Sequence, residues 1–167
     1  MATDLEKKEV KIEYQQAQSV HELAPDEQKL FKLAIEAMGN AYAPYSRFEV
    51  GCALLLANGE IVKGNNQENM AYPSGLCAER VALFTASANY PGVPIKILAV
   101  VANPLAADEN MTISPCGGCR QVMVEYERIQ NEPIKIITGS PSGSIFITEK
   151  AHTLMPLAFY DSGLTKK

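Results

Sequence analysis

AYPSGLCAERVALFTASANY, residues 71–90, sets a cysteine two positions ahead of a glutamate, directly after the turn-like YPSG and at the start of a run with helical spacing. ISPCGGCRQV, residues 113–122, opens a second helix with a Pro-Cys-x-x-Cys step. The first helix is expected from about Cys77 to Asn89, and the second from Pro115-Cys116 to about Gln130. Between them the apolar run IKILAVVAN reads as a buried strand, and PIKIITG after the second helix reads as another.

Upstream, Pro25 stands at a first helical position with Asp26 and Glu27 in the first turn, followed by Leu30, Leu33, Ala34, Ala37 and Met38 at helical spacing. This predicts an amphipathic helix ending near Gly39-Asn40. FEVGCALLLANGEIVKGNN then reads as two strands joined at Asn58-Gly59, a strong hairpin signal. Helices alternating with strands imply an α/β fold whose helices pack on a sheet with a parallel portion. Only SPSGS separates IKIITG from SIFIT, too short for a parallel crossover, so the last two strands should pair antiparallel. Residues 1–24 are charged and Gln-rich with weak periodicity and read as an arm, at best partly ordered.

A chain of 167 residues, 47% hydrophobic and 20% charged, suits one domain with a full core. The net charge of -4 argues against a nucleic-acid partner. MATDLEKKEVKIEY has no apolar leader core, and no run approaches the roughly 20 apolar residues of a membrane span. A soluble, cytoplasmic protein without a membrane partner is expected. In a reducing compartment, closely spaced cysteines are more often metal ligands or redox groups than disulfides.

Cys116 and Cys119, three apart, project from one helix face, where the helix N-terminus stabilises thiolates. A lone Cys-x-x-Cys is ambiguous between metal and redox chemistry. Cys77 discriminates, because both helix mouths could converge at one sheet edge and offer three thiolates to a zinc ion with its fourth position open. Cys52, His21 and His152 remain candidates for a fourth ligand. Cys-x-Glu makes sense as a unit only at a helix start, since residues two apart do not share a face in mid-helix. There Glu79 can serve as a general acid-base beside an activated water. Three thiolates and a divalent zinc sum to minus one, a charge that Arg80 and the two helix dipoles would offset. Taken singly, Cys77 would be a small buried hydrophobe, Glu79 a dipole partner and Arg80 a solvated charge; the pattern as a whole favours the metal.

CAERVALF with PCGGCRQV resembles the Cys-Ala-Glu and Pro-Cys-x-x-Cys elements of the zinc-dependent cytidine deaminases of the small homotetrameric type. YAPYSRFEVGCALL, NNQENMAY and LMPLAF also resemble that family's segments, in order, over about residues 25–163. The resemblance implies a three-layer α-β-α fold with a five-stranded mixed sheet and residues 25–167 as one catalytic domain. It implies one zinc per chain on Cys77, Cys116 and Cys119, with Glu79 as proton shuttle and Arg80 as the partner of the thiolates. Asn66 and Glu68 would hold the ribose hydroxyls, Phe48 and Ala78 would contact the nucleoside, and Tyr72 and Phe159 would reach a neighbouring subunit's site. The implied reaction is hydrolytic deamination of cytidine and deoxycytidine in pyrimidine salvage, by a homotetramer with sites at its interfaces. Cys52 stands where the family usually has Ala and reads as packing; Met70 replaces a small residue, and the arm is longer than usual.

Three rivals belong to other classes. A polynucleotide deaminase would want a basic groove and, by resemblance, a parallel final strand. A blasticidin-type deaminase lacks the acidic residue matching Glu68. A zinc-stapled binding module without activity would need a fourth protein ligand.

Overall fold

The computed structural model describes residues 5–103 and 113–160; residues 1–4 of the expected arm, and 104–112 and 161–167 of the expected domain, lie outside them. In chain order the elements are β1 (Gln15–Ala17), α1 (Pro25–Met38), β2 (Val50–Leu56), β3 (Ile61–Asn65), α2 (Ala78–Asn89), β4 (Ile95–Ala102), α3 (Gly117–Gln130), β5 (Lys135–Gly139) and β6 (Ile145–Thr148). Short 3-10 turns lie at Val20–Glu22, Tyr72–Ser74 and Ala151–Leu154.

One mixed sheet of order β1-β6-β5-β4-β2-β3 organises the chain. Among the described strands only β4 and β5 pair in parallel, joined by α3 as the crossover; β5 and β6 pair antiparallel, as the short SPSGS link requires. The β2–β3 hairpin turns at Gly59, whose φ of 86° suits a residue without a Cβ, while Asn58 Oδ1 accepts the Glu60 N–H at 3.1 Å.

Strand alternation divides the core into two layers. Cys52, Leu54, Leu98, Val100 and Ile136 face α2 and α3, where they meet Ala82, Leu83 and Met123. Ala53, Ala99, Val101 and Ile137 point the other way, against Leu30, Phe31 and Ala34 of α1. Close approach is built in: a Cβ on Gly64 of β3 would lie 2.6 Å from the Ala78 carbonyl oxygen and from the Ala82 nitrogen of α2. The same holds on the other face, where a Cβ on Gly51 would lie 2.0 Å from the Ala34 carbonyl oxygen.

Among the described residues the sheet has six strands, which corrects the expected five. The additional strand, β1, comes from the stretch read as an arm and pairs antiparallel with β6, Gln15 opposite Ile147 and Ala17 opposite Ile145. Three residues are too few to display a period, yet they occupy the otherwise open hydrogen-bonding edge of β6 and bury Ala17. Leu23 is buried in the α1 layer as well.

Candidate active site

Two helices begin on cysteines. Cys77 is the N-cap of α2 with φ −70° and ψ 152°, and Cys116 is the N-cap of α3 with φ −66° and ψ 162°. Both backbones are extended at the cap, so each side chain projects forward of its helix rather than along it. Cys119 lies in the first turn of α3 and is fully buried. The parallel pairing of β4 with β5 and the β2–β3 hairpin bring the two helix starts together.

The three sulfurs lie within 4.8 Å of one another. Cys77 Sγ is 3.9 Å from Cys116 Sγ, which is 3.5 Å from Cys119 Sγ. A tetrahedral zinc with Zn–S bonds of about 2.3 Å requires sulfur–sulfur edges of about 3.8 Å, so the donor set fits the ion in chemistry and in spacing. Among the described residues no fourth protein ligand joins the cluster. Cys52 is buried in the α2–α3 layer, and His21 and His152 sit in the Val20–Glu22 and Ala151–Leu154 turns.

Electrostatics support thiolate character at Cys77. Proton donation from the Cys119 thiol, with the Arg80 guanidinium and Cys116 adding to it, holds Cys77 down to about 5. The same shared proton, and burial, push Cys119 well above the usual thiol range. Arg80 Nη2 lies 3.7 Å from Cys77 Sγ, while its Nε is buried without a protein partner. Burial raises the Cys52 thiol, with the charge of Glu79 adding to it, so Cys52 stays neutral packing.

Glu79 is the second residue of α2 and only 4% exposed. Burial holds its carboxyl above the ordinary carboxylate range, and the charge on Cys77 pushes the same way. It lines a cavity of about 760 Å³ together with Cys77, Arg80, Cys116, Phe48, Asn66, Glu68 and Tyr72. Most of the residues singled out in the sequence therefore meet in one place. Cys119 and Ala78, both buried, do not line it, nor does Phe159, 72% exposed on the C-terminal segment.

The cavity wall is held by polar contacts. Asn66, 8% exposed, accepts the Val50 N–H at Oδ1 and donates from Nδ2 to the Phe48 carbonyl, both at 2.8 Å. Glu68 Oε2 accepts the N–H groups of Tyr45 and Ser46 at 2.8 and 3.2 Å. A hydrogen bond with the Ser46 side chain, and those two N–H groups, hold the Glu68 carboxyl below its ordinary value. Tyr72, 79% exposed, packs edge-on to Tyr45 with ring centroids 6.4 Å apart. Tyr45, Ser46, Ile113 and Ser114 also line the cavity and were not singled out from the sequence. The first two fall within YAPYSRFEVGCALL, quoted only for its resemblance, and nothing in that stretch pointed to Glu68, which lies 23 residues beyond Tyr45.

Residues 24–133 match the family model described as the cytidine and deoxycytidylate deaminase zinc-binding region. The cytidine deaminase of Sporosarcina psychrophila is 47% identical over 141 residues, which is 84% of this chain and 96% of that one. The cytidine deaminase of Halalkalibacterium halodurans is 47% identical over 120 residues, 72% of this chain and 84% of the other. The crystal structure of cytidine deaminase from Burkholderia pseudomallei superposes with a TM-score of 0.68 at 39% identity, covering 78% of this chain and 97% of that one. With two helix-capping cysteines and a third beside them matched to a zinc-binding region, this chain belongs to the zinc-dependent cytidine deaminase family.

Proposed function

We propose that the protein hydrolyses cytidine and deoxycytidine to uridine and deoxyuridine, releasing ammonia. The observation that carries this reading is the buried Glu79 carboxyl sharing one cavity with the Cys77 and Cys116 thiols. Cys77, Cys116 and Cys119 would hold zinc, which when bound supplies a Lewis acid that brings the pKa of a water down to about 7. Arg80 offsets the surplus negative charge of the thiolates.

Glu79 carries both proton transfers. Its carboxylate takes a proton from the attacking water and delivers it to ring N3; as the C4–O bond forms, N3 gains the proton. The carboxylate then takes the proton of the new C4 hydroxyl and passes it to the amino nitrogen, so that the C4=O bond forms as the C4–N bond breaks and ammonia leaves. Desolvation suits both halves, because a buried carboxyl takes up a proton readily and the surrounding low dielectric strengthens each transfer.

Glu68, anchored through Oε2, offers Oε1 to a ribose hydroxyl. Asn66 has each amide group engaged once by backbone and retains a second N–H for the sugar. Phe48 supplies an apolar wall for the base. The exposed Tyr72 and Phe159 support a homotetramer whose subunits complete one another's sites, working in pyrimidine salvage in the cytoplasm.

A nucleoside reading is favoured over a polynucleotide one by the antiparallel β5–β6 pairing and the net charge of -4. The test is a substrate panel of cytidine, deoxycytidine, free cytosine, blasticidin S and an oligonucleotide, followed by ultraviolet absorbance on zinc-loaded protein. Turnover of the two nucleosides, with cytosine at least about tenfold poorer for want of ribose hydrogen bonds, is the expected result. Equal turnover of cytosine and cytidine would remove the roles of Asn66 and Glu68, and turnover of neither nucleoside would remove the function.

A further inference from the structure

The two residues after Cys119 direct their side chains outside their own helix. Arg120 donates from Nε to the Pro115 carbonyl at 2.7 Å, from Nη1 to the Leu154 carbonyl at 3.1 Å and from Nη2 to Ser114 Oγ at 2.8 Å. Its backbone N–H donates to the Cys116 carbonyl at 2.9 Å. Gln121 donates from Nε2 to the Phe159 carbonyl and accepts the Phe159 N–H at Oε1, both at 2.9 Å.

Each contact has a physical reason to matter. Pro115 has no N–H, so its backbone can be held only through its carbonyl, which the Arg120 side chain takes, while the Arg120 backbone N–H takes the Cys116 carbonyl as the first turn of the helix requires. The segment from Met155 to Tyr160 forms no helix or strand, and Leu157 and Phe159 are 87% and 72% exposed. Met155, Pro156 and Ala158 are only half-buried, so burial holds the stretch weakly. Among the described residues the side chains that hold it, and Leu154 just before it, come from α3: Arg120 at Leu154, Gln121 at Phe159, and Arg128, whose guanidinium lies 5.6 Å from the Tyr160 ring centroid.

We propose that Arg120 and Gln121 are positioning residues that join the Ser114–Cys116 turn and the C-terminal segment to one helix, so that α3 sets Cys116, Cys119 and Phe159 together. The inference rests on the reading of Cys116 as a zinc ligand. Arg120 acts on the metal through the turn, and Gln121 acts on the segment alone.

The test uses the full chain loaded with zinc and needs no substrate, so a failure to deaminate cytidine would count against the proposed function and not against this inference. Zinc release to a chromogenic chelator should be at least about tenfold faster in Arg120→Met, the size of effect expected of groups that orient ligands from behind. Arg120→Lys, with one donor group in place of a fork, should meet the same criterion and serves if the methionine variant does not fold. Hydrogen exchange at the Phe159 amide should lose its protection in Gln121→Leu and keep it in Gln121→Glu, which retains the acceptor. Release less than tenfold faster in the folded Arg120 variant, continued protection of Phe159 in Gln121→Leu, or loss of it in Gln121→Glu each overturns the proposal.

Discussion

Glu79 and Cys119 are both buried near the thiol cluster, yet the chemistry asked of them differs. Glu79→Gln keeps size and polarity and removes no thiol, so the protein should fold and retain about one zinc per chain while its rate on cytidine falls by about 10³- to 10⁴-fold. Cys119→Ser removes one of three soft donors whose binding energy is partly folding energy, and it should lose zinc and stability together. Metal analysis, thermal melts and single-substrate kinetics on the two variants separate the roles. A loss of less than tenfold in the Glu79 variant would leave the glutamate as a helix-start residue only. The spacing Cys-x-Glu and Pro-Cys-x-x-Cys was legible along the chain, because helix starts carry local signals. Glu68 was legible only through its family segment, since its anchoring N–H groups belong to Tyr45 and Ser46 on the far side of a strand pair.

Elements place these side chains by close packing. Gly64→Ala would drive a methyl group into the α2 backbone at 2.6 Å, where no flexible side chain can yield. A loss of stability of at least about 1 kcal/mol is expected from such overpacking, read from urea melts, with weakened zinc retention because α2 carries Cys77. On the other face, Lys135 of β5 reaches Glu27 of α1 at 2.9 Å and Glu149 at 3.4 Å. The Glu27 bond first, and the charges of both carboxylates, raise the ammonium above its ordinary lysine value. A raised folded pKa contributes stability that is fully present below the unfolded value and is lost as pH rises through the folded one. Lys135→Met should therefore cost about 1 kcal/mol at neutral pH, and the gap to the parent should narrow as the pH rises past the ordinary lysine value of about 10.4. Urea melts at neutral pH and above that value check both statements. The long elements were legible: α1, the hairpin at Asn58-Gly59, α2, β4, α3, β5 and β6 lie within a few residues of their expected places. β1 was not, because an edge strand of three residues owes its existence to the partner it pairs with and not to its own pattern.

At the scale of the molecule, large apolar side chains more than half exposed stand on several segments, among them Val10, Ile12 and Tyr14 before α1, Met70 and Tyr72 between β3 and α2, and Leu157, Phe159 and Tyr160 in the C-terminal segment. Exposure of this extent on a single chain suits burial by further copies of it. Light scattering and sedimentation at micromolar concentration should report a symmetric homotetramer, and dilution that dissociates it should reduce activity on cytidine. A monomer with undiminished activity would remove Tyr72 and Phe159 from the catalytic assembly.

The sequence by itself determined the α/β class, the order and type of the long elements, the antiparallel final pair and the chemistry available at two helix mouths. All of these are encoded within windows of a few to about 15 residues, where periodicity, turn chemistry and capping act. Tertiary structure alone decided that Cys77 and Cys116, 39 positions apart, would lie 3.9 Å from each other, and that Glu79 would be shut away from water. It also decided that residues 15–17 would close the sheet edge and that α3 would reach out through Arg120 and Gln121 to hold the C-terminal segment. These features come from packing between parts of the chain remote in sequence, whose mutual distances no local propensity sets.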